Sequence, residues 1–374
     1  MPRVRRHMPQ LDSLRAIAVS LVLFQHFAGV EWPMLNGRTG VILFFILSGF
    51  LITGILLDSR SAAGEAGSAA VSVLPRFYAR RFLRIVPAFY AVLAVTYMAR
   101  IGDVTHYVAW HMAYLSNVLF CIQGVWPKTT SHLWSLAVEE QFYLAWPLVV
   151  LFVPYRRLFA VTAALVFAGP VARLVVQSVS QNVIAPYVLP ICVLDSFGLG
   201  AALACAFRQP IGSGRLLRIG SIAAAAACAV MFALLSWWGW NGRLRVTVSD
   251  TLIAVMLLPL IAAAAEGVPG VAGRMLGARP LRYVGRVSYG IYLWHLFVPA
   301  LFFEIVHRLS GSDLAWNRAV LAGAWTVVTL AISALSWHLF ETPINRLKRY
   351  IPYVAAPARR GSGTGAASSP LVRG

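Results

Sequence analysis

Long apolar runs recur along the whole chain and are separated by short polar connections. A helix of about 20 apolar residues is long enough to cross the roughly 30 Å hydrocarbon core of a bilayer. The spacing therefore predicts an all-α fold, a polytopic transmembrane helical bundle of about ten spans. The predicted spans cover residues 11–30, 39–57, 82–99, 134–153, 158–178, 186–206, 217–238, 249–266, 285–306 and 318–340.

One further stretch, residues 106–122, is moderately apolar but also carries two histidines and an asparagine. It either spans the membrane or lies at the interface as a partial helix. In membrane proteins, Lys and Arg concentrate in cytoplasmic loops. In this chain all the basic connections lie on the same side of the membrane if 106–122 does not cross, and they lie on both sides if it does. That choice predicts ten spans with both termini in the cytoplasm.

The C-terminal residues differ in composition from the rest of the chain. Residues 355–374 are rich in Gly, Ser and Ala, and such a segment buries too little apolar surface to offset the entropy lost on ordering. We therefore predict one integral membrane domain, residues 1–354, and a disordered cytoplasmic tail, residues 355–374.

Composition agrees with a membrane protein, because 59% of the residues are hydrophobic and 12% are charged. A soluble domain typically has about 25% charged residues. The net charge of +19 does not indicate a nucleic-acid partner, because the basic residues lie in the short connections between spans. The four cysteines have no CxxC spacing, so we expect neither a disulfide framework nor a metal site.

The first span carries two ionisable residues, Arg15 and His26, on one face. Eleven residues correspond to about 1100° of helical rotation, so the pair is about 20° from eclipsed, and His26 lies about 16 Å further along the axis. Taken alone, Arg15 could equally be an anchor at the cytoplasmic end of the span. The corresponding alternative for His26 is a packing residue. The aligned pair favours a functional cavity, because ionisable groups inside a membrane are costly. Asp12 is expected to be the ion-pair partner of Arg15 rather than a catalyst.

Arginines cluster at the start of the third span, in RFYARRFLR. Arg81 and Arg84 are three residues apart, and Arg80 and Arg84 are four apart, so at least two guanidinium groups share a helix face. Such groups suit the phosphates of a nucleotide-bearing cofactor. Arginines are also routine at the cytoplasmic ends of spans, and this segment alone leaves both interpretations open.

The fourth span begins with two adjacent carboxylates, Glu139 and Glu140. Carboxylates at a membrane boundary are costly unless they are used or paired. Neighbouring side chains point about 100° apart, so only one of them can share a cavity with Ser135. Glu139, four residues after Ser135, is predicted to point inwards and Glu140 towards the interface. The structural alternative is an outer helix start rich in acid and tryptophan.

The ninth span contains a polar stripe on an otherwise apolar helix. Ser288, Tyr292 and His295 follow one another at positions i, i+4 and i+7 in VSYGIYLWH. The stripe is explained equally well by a functional site and by hydrogen bonds between packed helices.

Together, these segments resemble the acyltransferase-3 family of integral membrane O-acyltransferases. The resemblance covers residues 11 to about 345, and its stretches occur in the order typical of the family. They are LDSLRAIAV with His26, FFILSGFLITGILL, RRFLRIVPAFY, HLWSLAVEEQFYLAWP, DSFGLGAALA and VSYGIYLWH.

The resemblance implies an enzyme of the bacterial inner membrane. It would transfer an acyl group, usually acetyl, from cytoplasmic acyl-CoA to a hydroxyl of a cell-surface polysaccharide or related glycan, without a metal. The family's Arg–X10–His pattern falls on Arg15 and His26, its RxxR pattern on Arg81 and Arg84, and its acidic position on Glu139.

These positions imply roles in catalysis and in binding. His26 is the expected base that activates the hydroxyl, Glu139 orients it or receives the proton, and Arg15 lies between the phosphates and the thioester. Arg81 and Arg84 are the expected acyl-CoA ligands. Candidates for substrate contact or support are Ser135, Ser288, Tyr292 and His295.

Two positions depart from the family pattern. Ser13 replaces the glycine of LDGLR, and Ile42 replaces the frequent acid of GVDLFF, which argues against a mechanism that needs a carboxylate there. The chain is also expected to lack the soluble esterase-like domain fused to some members. It would then act alone or with a separate periplasmic acyl-transfer partner.

A transporter of polysaccharide or lipid-linked sugar is the main alternative, because it would also use many helices, aromatic residues and buried charges. Transporters of this kind often contain inverted repeats and broken helices near the membrane centre. No convincing internal repeat is visible in the sequence.

Overall fold

The computed structural model describes residues 8–29, 36–209, 213–238, 242–310 and 317–353, and these contain helices and no strand. The all-α prediction is therefore confirmed, whereas the predicted tail, 355–374, lies outside the described residues. In chain order the helices are α1 Pro9–Leu23, α2 Gly37–Glu65, α3 Val73–Met98, α4 Gly102–Met112, α5 Ser116–Gln123, α6 Leu133–Phe152, α7 Tyr155–Val179, α8 Ala185–Val188, α9 Leu194–Ala206, α10 Ser213–Trp238, α11 Arg243–Glu266, α12 Gly270–Leu276, α13 Arg279–Trp294, α14 Phe297–Ser310, α15 Arg318–Ser336 and α16 Thr342–Arg346.

Eight of the described helical segments are long and apolar enough to cross a membrane, and a bent pair raises the number to nine if it counts as one span. The pair is α13 with α14, which meet at an angle of 51°. These nine segments coincide with nine of the ten predicted spans. The tenth, 186–206, is instead the one-turn helix α8 followed by a shorter apolar helix, Pro190–Ala206. Pro186 and Pro190 interrupt this segment, because proline cannot continue a preceding helix.

Residues 106–122 form parts of two short helices, α4 and α5, rather than one span. Tyr114, which lies between them, has a φ of 53°, a left-handed conformation that a regular helix cannot contain. Neither helix is among the segments long enough to cross a membrane. The stretch therefore folds as a bent connection, the arrangement that the loop charges favour.

Arginine side chains bind backbone carbonyls and a carboxylate near helix termini at one end of the bundle. We call this end of the bundle the arginine end. Arg80 donates to the carbonyl oxygens of Lys348 (2.7 Å) and Ile351 (2.8 Å). Arg60 donates to two carbonyls at the end of α6, and Arg208 is paired with Asp58. Cations near helix C-termini are stabilised by the helix dipole. The basic connections are thus collected on one end, and their cytoplasmic placement stays a prediction.

Two buried ion pairs join α2, α7, α9 and α11 outside the cavity described below. Arg173 and Asp195 are 2.7 Å apart and their side chains are fully buried. Arg173 also donates to Thr251 and to two backbone carbonyls, and Arg38 is paired with Asp250. A buried charge is tolerated only when its hydrogen bonds are made, so we assign these pairs to helix packing.

Helices α2 and α9 pack closely through two glycines. A Cβ atom on Gly49 would lie 2.2 Å from the carbonyl oxygen of Phe197, and one on Gly200 would lie 2.1 Å from that of Ile46. Small residues at such crossings let two backbones approach within contact distance. Aromatic rings complete the contact, since Phe197 stacks on Phe45 at 4.6 Å.

We expect Gly49→Ala to destabilise the folded protein by about 1–3 kcal/mol, the usual cost of overpacking. The added methyl group would meet backbone, which cannot turn aside as a side chain can. The measurement is the melting temperature of the purified protein in detergent. Gly54→Ala on the same helix is the matched control, because nothing lies within 4 Å of its Cβ position. Equal melting temperatures for the two variants would contradict the close approach.

Candidate active site

A cavity of about 90 Å³ lies among α1, α2, α3, α6 and α13. Each of these helices contributes at least one polar side chain to its wall. Seven of the nine residues proposed from the sequence line it, namely Arg15, Arg81, Arg84, Ser135, Glu139, Ser288 and Tyr292.

Three guanidinium groups lie at one side of the cavity. Arg15 of α1 forms the predicted ion pair with Asp12, with an N–O distance of 3.0 Å. Arg81 of α3 lies 4.3 Å from the ring centroid of Tyr143, and Arg84 follows one turn later. Arg80 does not join them, because it binds carbonyls of the C-terminal segment. This side of the cavity is strongly positive and suits an anion.

The middle of the cavity contains carboxylates and hydroxyls. Glu139 accepts hydrogen bonds from Ser48 of α2 and from Tyr143, one turn later on α6. Its carboxylate therefore binds hydroxyl groups, and no contact with His26 is present among the described residues. Glu140 also lines the cavity, so its predicted orientation towards the interface is wrong. Both adjacent carboxylates of α6, those of Glu139 and Glu140, thus belong to the cavity wall.

The opposite side of the cavity ends at a pair of hydroxyls. The Oγ atom of Ser135 and the hydroxyl oxygen of Tyr292 are 2.6 Å apart. Ser135 also donates to the carbonyl of His132 at 3.1 Å. Ser288 lies one turn before Tyr292, and both side chains are buried. Ser288 and Tyr292 of the stripe thus face the cavity, and the contact with Ser135 also joins α13 to α6, so both interpretations of the stripe stay open.

His26 and His295 lie beyond this hydroxyl pair and do not line the cavity. The His295 ring centroid is 5.3 Å from that of Tyr292 and 5.0 Å from that of His26. His26 falls in a π-helical segment, Phe24–Ala28, and its side chain is exposed. Arg15 lines the cavity and His26 lies beyond the hydroxyl pair, so these two residues flank the cavity from opposite ends.

His132 completes a cluster with these two histidines. Its ring centroid is 4.8 Å from that of His295, and its Nε2 lies 3.1 Å from the carbonyl oxygen of Leu293. His132 precedes α6 by one residue, and burial together with the nearby His26 lowers its pKa to about 3. The neutral imidazole is therefore the form present near neutral pH.

Sequence reasoning missed five polar residues of the site: Ser48, His132, Glu140, Tyr143 and Tyr289. For two of them, the sequence spacing to a residue that was already proposed gave an indication. Tyr143 lies one helical turn after Glu139, and His132 lies three residues before Ser135. Ser48 and Tyr289 belong to apolar helices, where their spacing gives no indication of the facing helix.

The site combines an anion-binding side, a carboxylate–hydroxyl centre and a histidine cluster. Such a set can hold an anionic group at one end and transfer a proton at the other. Within the described ranges, no group of three or more His, Cys, Asp or Glu residues is arranged to hold a metal ion. These residue types can carry out proton transfer and electrostatic stabilisation.

Several bacterial proteins of known name are similar to this chain. YrhL of Bacillus subtilis (strain 168) is 29% identical over an alignment of 372 residues, which covers 91% of this chain and 55% of YrhL. The peptidoglycan O-acetyltransferase OatA of Listeria monocytogenes is 28% identical, over 91% of this chain and 56% of the relative. The O-acetyltransferase OatA of Staphylococcus aureus (strain NCTC 8325) is 26% identical, over 95% and 60% respectively.

The chain thus spans between half and two thirds of the length of these relatives. No solved structure matches it. The family model described as an acyltransferase domain matches residues 8–338, which include every residue of the cavity. This chain therefore belongs to the acyltransferase-3 family of membrane proteins.

Proposed function

We propose that this protein is an O-acyltransferase of the bacterial inner membrane. It takes a short acyl group, most simply acetyl, from acyl-CoA on the cytoplasmic side. It delivers that group to a hydroxyl of a cell-surface polysaccharide or related glycan on the other side. Membership of the acyltransferase family and the names of the relatives, which are O-acetyltransferases in Listeria and Staphylococcus, support this proposal.

One observation carries the proposal: a single cavity has three arginines on one side and leads towards exposed His26 on the other. Guanidinium groups bind phosphate oxygens in bidentate fashion, and acyl-CoA carries several phosphates near its nucleotide. We assign Arg81 and Arg84 to these phosphates, and Arg15 to the region between the phosphates and the thioester. The arginine end would then face the cytoplasm, as the loop charges predict.

The cavity of about 90 Å³ can receive the acyl end of the donor. The nucleotide would stay at the mouth, against the arginines, while the acyl end enters.

In the proposed reaction the acceptor hydroxyl loses its proton to His26 and attacks the thioester carbon. The tetrahedral oxyanion needs nearby hydrogen-bond donors. The hydroxyls of Ser135 and Tyr292 lie at one end of the cavity and suit this task. Glu139 accepts hydrogen bonds from Ser48 and Tyr143, so these two hydroxyls hold its carboxylate in the cavity. From there Glu139 would receive the proton.

The test is transfer of radiolabelled acetyl from acetyl-CoA by the purified protein in liposomes. We expect label to move to a glycan acceptor, with peptidoglycan fragments and lipid-linked oligosaccharides supplied in parallel. Liposomes without the protein are the control. Movement of glycan across the bilayer without transfer of label would instead indicate a transporter and would overturn the proposal.

Identification of the acceptor requires the producing organism. Mass analysis of surface glycans from a deletion strain is expected to show the loss of one acyl mass per modified sugar. If label reaches a glycan only after addition of a periplasmic extract, the acyl group passes through a separate partner. If purified protein and glycan suffice, transfer is direct.

A further inference from the structure

Three histidines from separate parts of the chain meet beyond the hydroxyl pair of Ser135 and Tyr292. His26 comes from the π-helical end of the first span, His132 precedes α6, and His295 follows α13. The ring centroid of His295 lies 5.0 Å from that of His26 and 4.8 Å from that of His132. His295 therefore stands between the other two rings.

Each of these imidazoles has one nitrogen held by a backbone carbonyl. The pairs are His26 Nδ1 with Val22 (3.0 Å), His132 Nε2 with Leu293 (3.1 Å) and His295 Nδ1 with Tyr292 (2.7 Å). A carbonyl oxygen can only accept a hydrogen bond, so each of these nitrogens must carry the hydrogen. The tautomer of all three rings is thereby fixed, and the second nitrogen of each neutral ring has a lone pair.

Two of these lone pairs lie in the interior without a donor. His132 is 3% exposed and His295 is fully buried. Neither Nδ1 of His132 nor Nε2 of His295 finds a hydrogen-bond partner in the described part of the chain. A buried acceptor that is left unpaired is costly, so most are satisfied in native proteins. Two such atoms on adjacent rings indicate a place that receives a proton during function.

The cluster connects the cavity with the exposed surface of the protein. Tyr292, whose hydroxyl meets Ser135 in the cavity, has its ring 5.3 Å from His295 and 5.8 Å from His132. At the other end, His26 is exposed. The cluster therefore links the hydroxyl end of the cavity to the exposed side chain of His26.

We propose that His295 and His132 are positioning residues that act through His26 and share the proton which His26 removes from the acceptor hydroxyl. This inference rests on the proposed acyl transfer. In that step the hydroxyl O–H bond breaks, a C–O bond forms to the acyl carbon, and the C–S bond of the thioester breaks. The proton goes to Nε2 of His26 and is shared with the lone pair of the neighbouring His295 and, through that ring, with His132. The leaving thiolate takes a proton from water, and His26 returns its proton to water.

The competing explanation is that His132 and His295 only hold helices together through their carbonyl contacts. Isosteric amides separate the two explanations. His132→Gln places an amide N–H where Nε2–H donates to Leu293, and His295→Asn does the same for the Nδ1–H that donates to Tyr292. Both variants keep the packing contact but lack a basic nitrogen.

We expect each variant to lower kcat roughly 10- to 100-fold, less than the loss of the base itself, and to leave the KM for acetyl-CoA within about twofold. We also expect no further loss when either change is combined with His26→Ala, because residues that act as a unit are not additive. Exposed His106 supplies the control, and His106→Gln should leave kcat unchanged.

The measurement is steady-state kinetics per folded molecule, with the folded fraction taken from gel filtration. Wild-type kcat in both amide variants would overturn the inference, while an inactive His26→Ala variant would still support the proposed function. A further fall of kcat in the combined variants would equally overturn it, since the two residues would then act independently of His26. Absence of transfer by the wild-type protein would instead refute the proposed function.

Discussion

Replacing His26 by alanine is expected to abolish acyl transfer while leaving the protein folded in the membrane. A positioned base contributes about 10²- to 10⁴-fold to a rate, and in the proposed reaction His26 is the group that takes the hydroxyl proton. Its side chain is exposed, and its Nδ1 is hydrogen-bonded to a carbonyl of its own helix. The substitution removes the contact with the His295 ring, 5.0 Å away, and we expect the first span to stay folded without it.

The measurement is the rate of acetyl transfer by the variant in liposomes, compared with its yield and its melting temperature. His338→Ala is a suitable control, because His338 is an exposed histidine whose described contacts are with Tyr283. We expect the control to keep wild-type kcat. Undiminished transfer by His26→Ala would remove His26 from the mechanism and with it the role proposed for the cluster.

The span pattern was predictable because a membrane imposes a length and a polarity on each helix. Nine predicted spans coincide with described helical segments, and their boundaries follow the apolar runs. The segment 186–206 could not be predicted in the same way, because its apolar content is sufficient while Pro186 and Pro190 divide it. The two prolines interrupt the helix, so the segment does not form a single span.

Contacts between distant segments could not be predicted from helix periodicity. Periodicity places only one of Glu139 and Glu140 on the inward face of α6, yet both line the cavity. His132 lies three residues before Ser135, but this spacing does not indicate which distant segment its ring meets. Its significance depends on His295, which belongs to a much later part of the chain and meets His132 only in the folded protein.

The two ends of the site have different physical requirements, and this difference explains the distribution of residues. In the proposed function, the arginines bind an anion at one side of the cavity. Neutral imidazoles take part in proton transfer at the other, because a permanent charge inside a membrane would be expensive. The same division assigns the donor to one end and the acceptor to the other.

Arg84→Gln and Arg81→Gln are each expected to raise the KM for acetyl-CoA roughly 10- to 100-fold, with kcat little changed. A hydrogen bond from a charged donor to a phosphate contributes about 1.5–3 kcal/mol, and about 1.4 kcal/mol corresponds to a factor of ten in affinity. Both side chains line the arginine side of the cavity. Glutamine keeps a polar side chain at the position. Any rise in KM is therefore due to loss of the positive charge and of the guanidinium geometry.

Acetyl-pantetheine separates phosphate binding from other roles of these arginines, because it carries the thioester without the nucleotide. If Arg81 and Arg84 bind the phosphates, the substitutions should leave transfer from acetyl-pantetheine unchanged. Arg156→Gln, an exposed arginine at the start of α7, controls for a general loss of positive charge. Equal losses with the two donors would show that these arginines act on the thioester or on the fold of α3. The anion-binding end of the site would then have to be assigned to other residues.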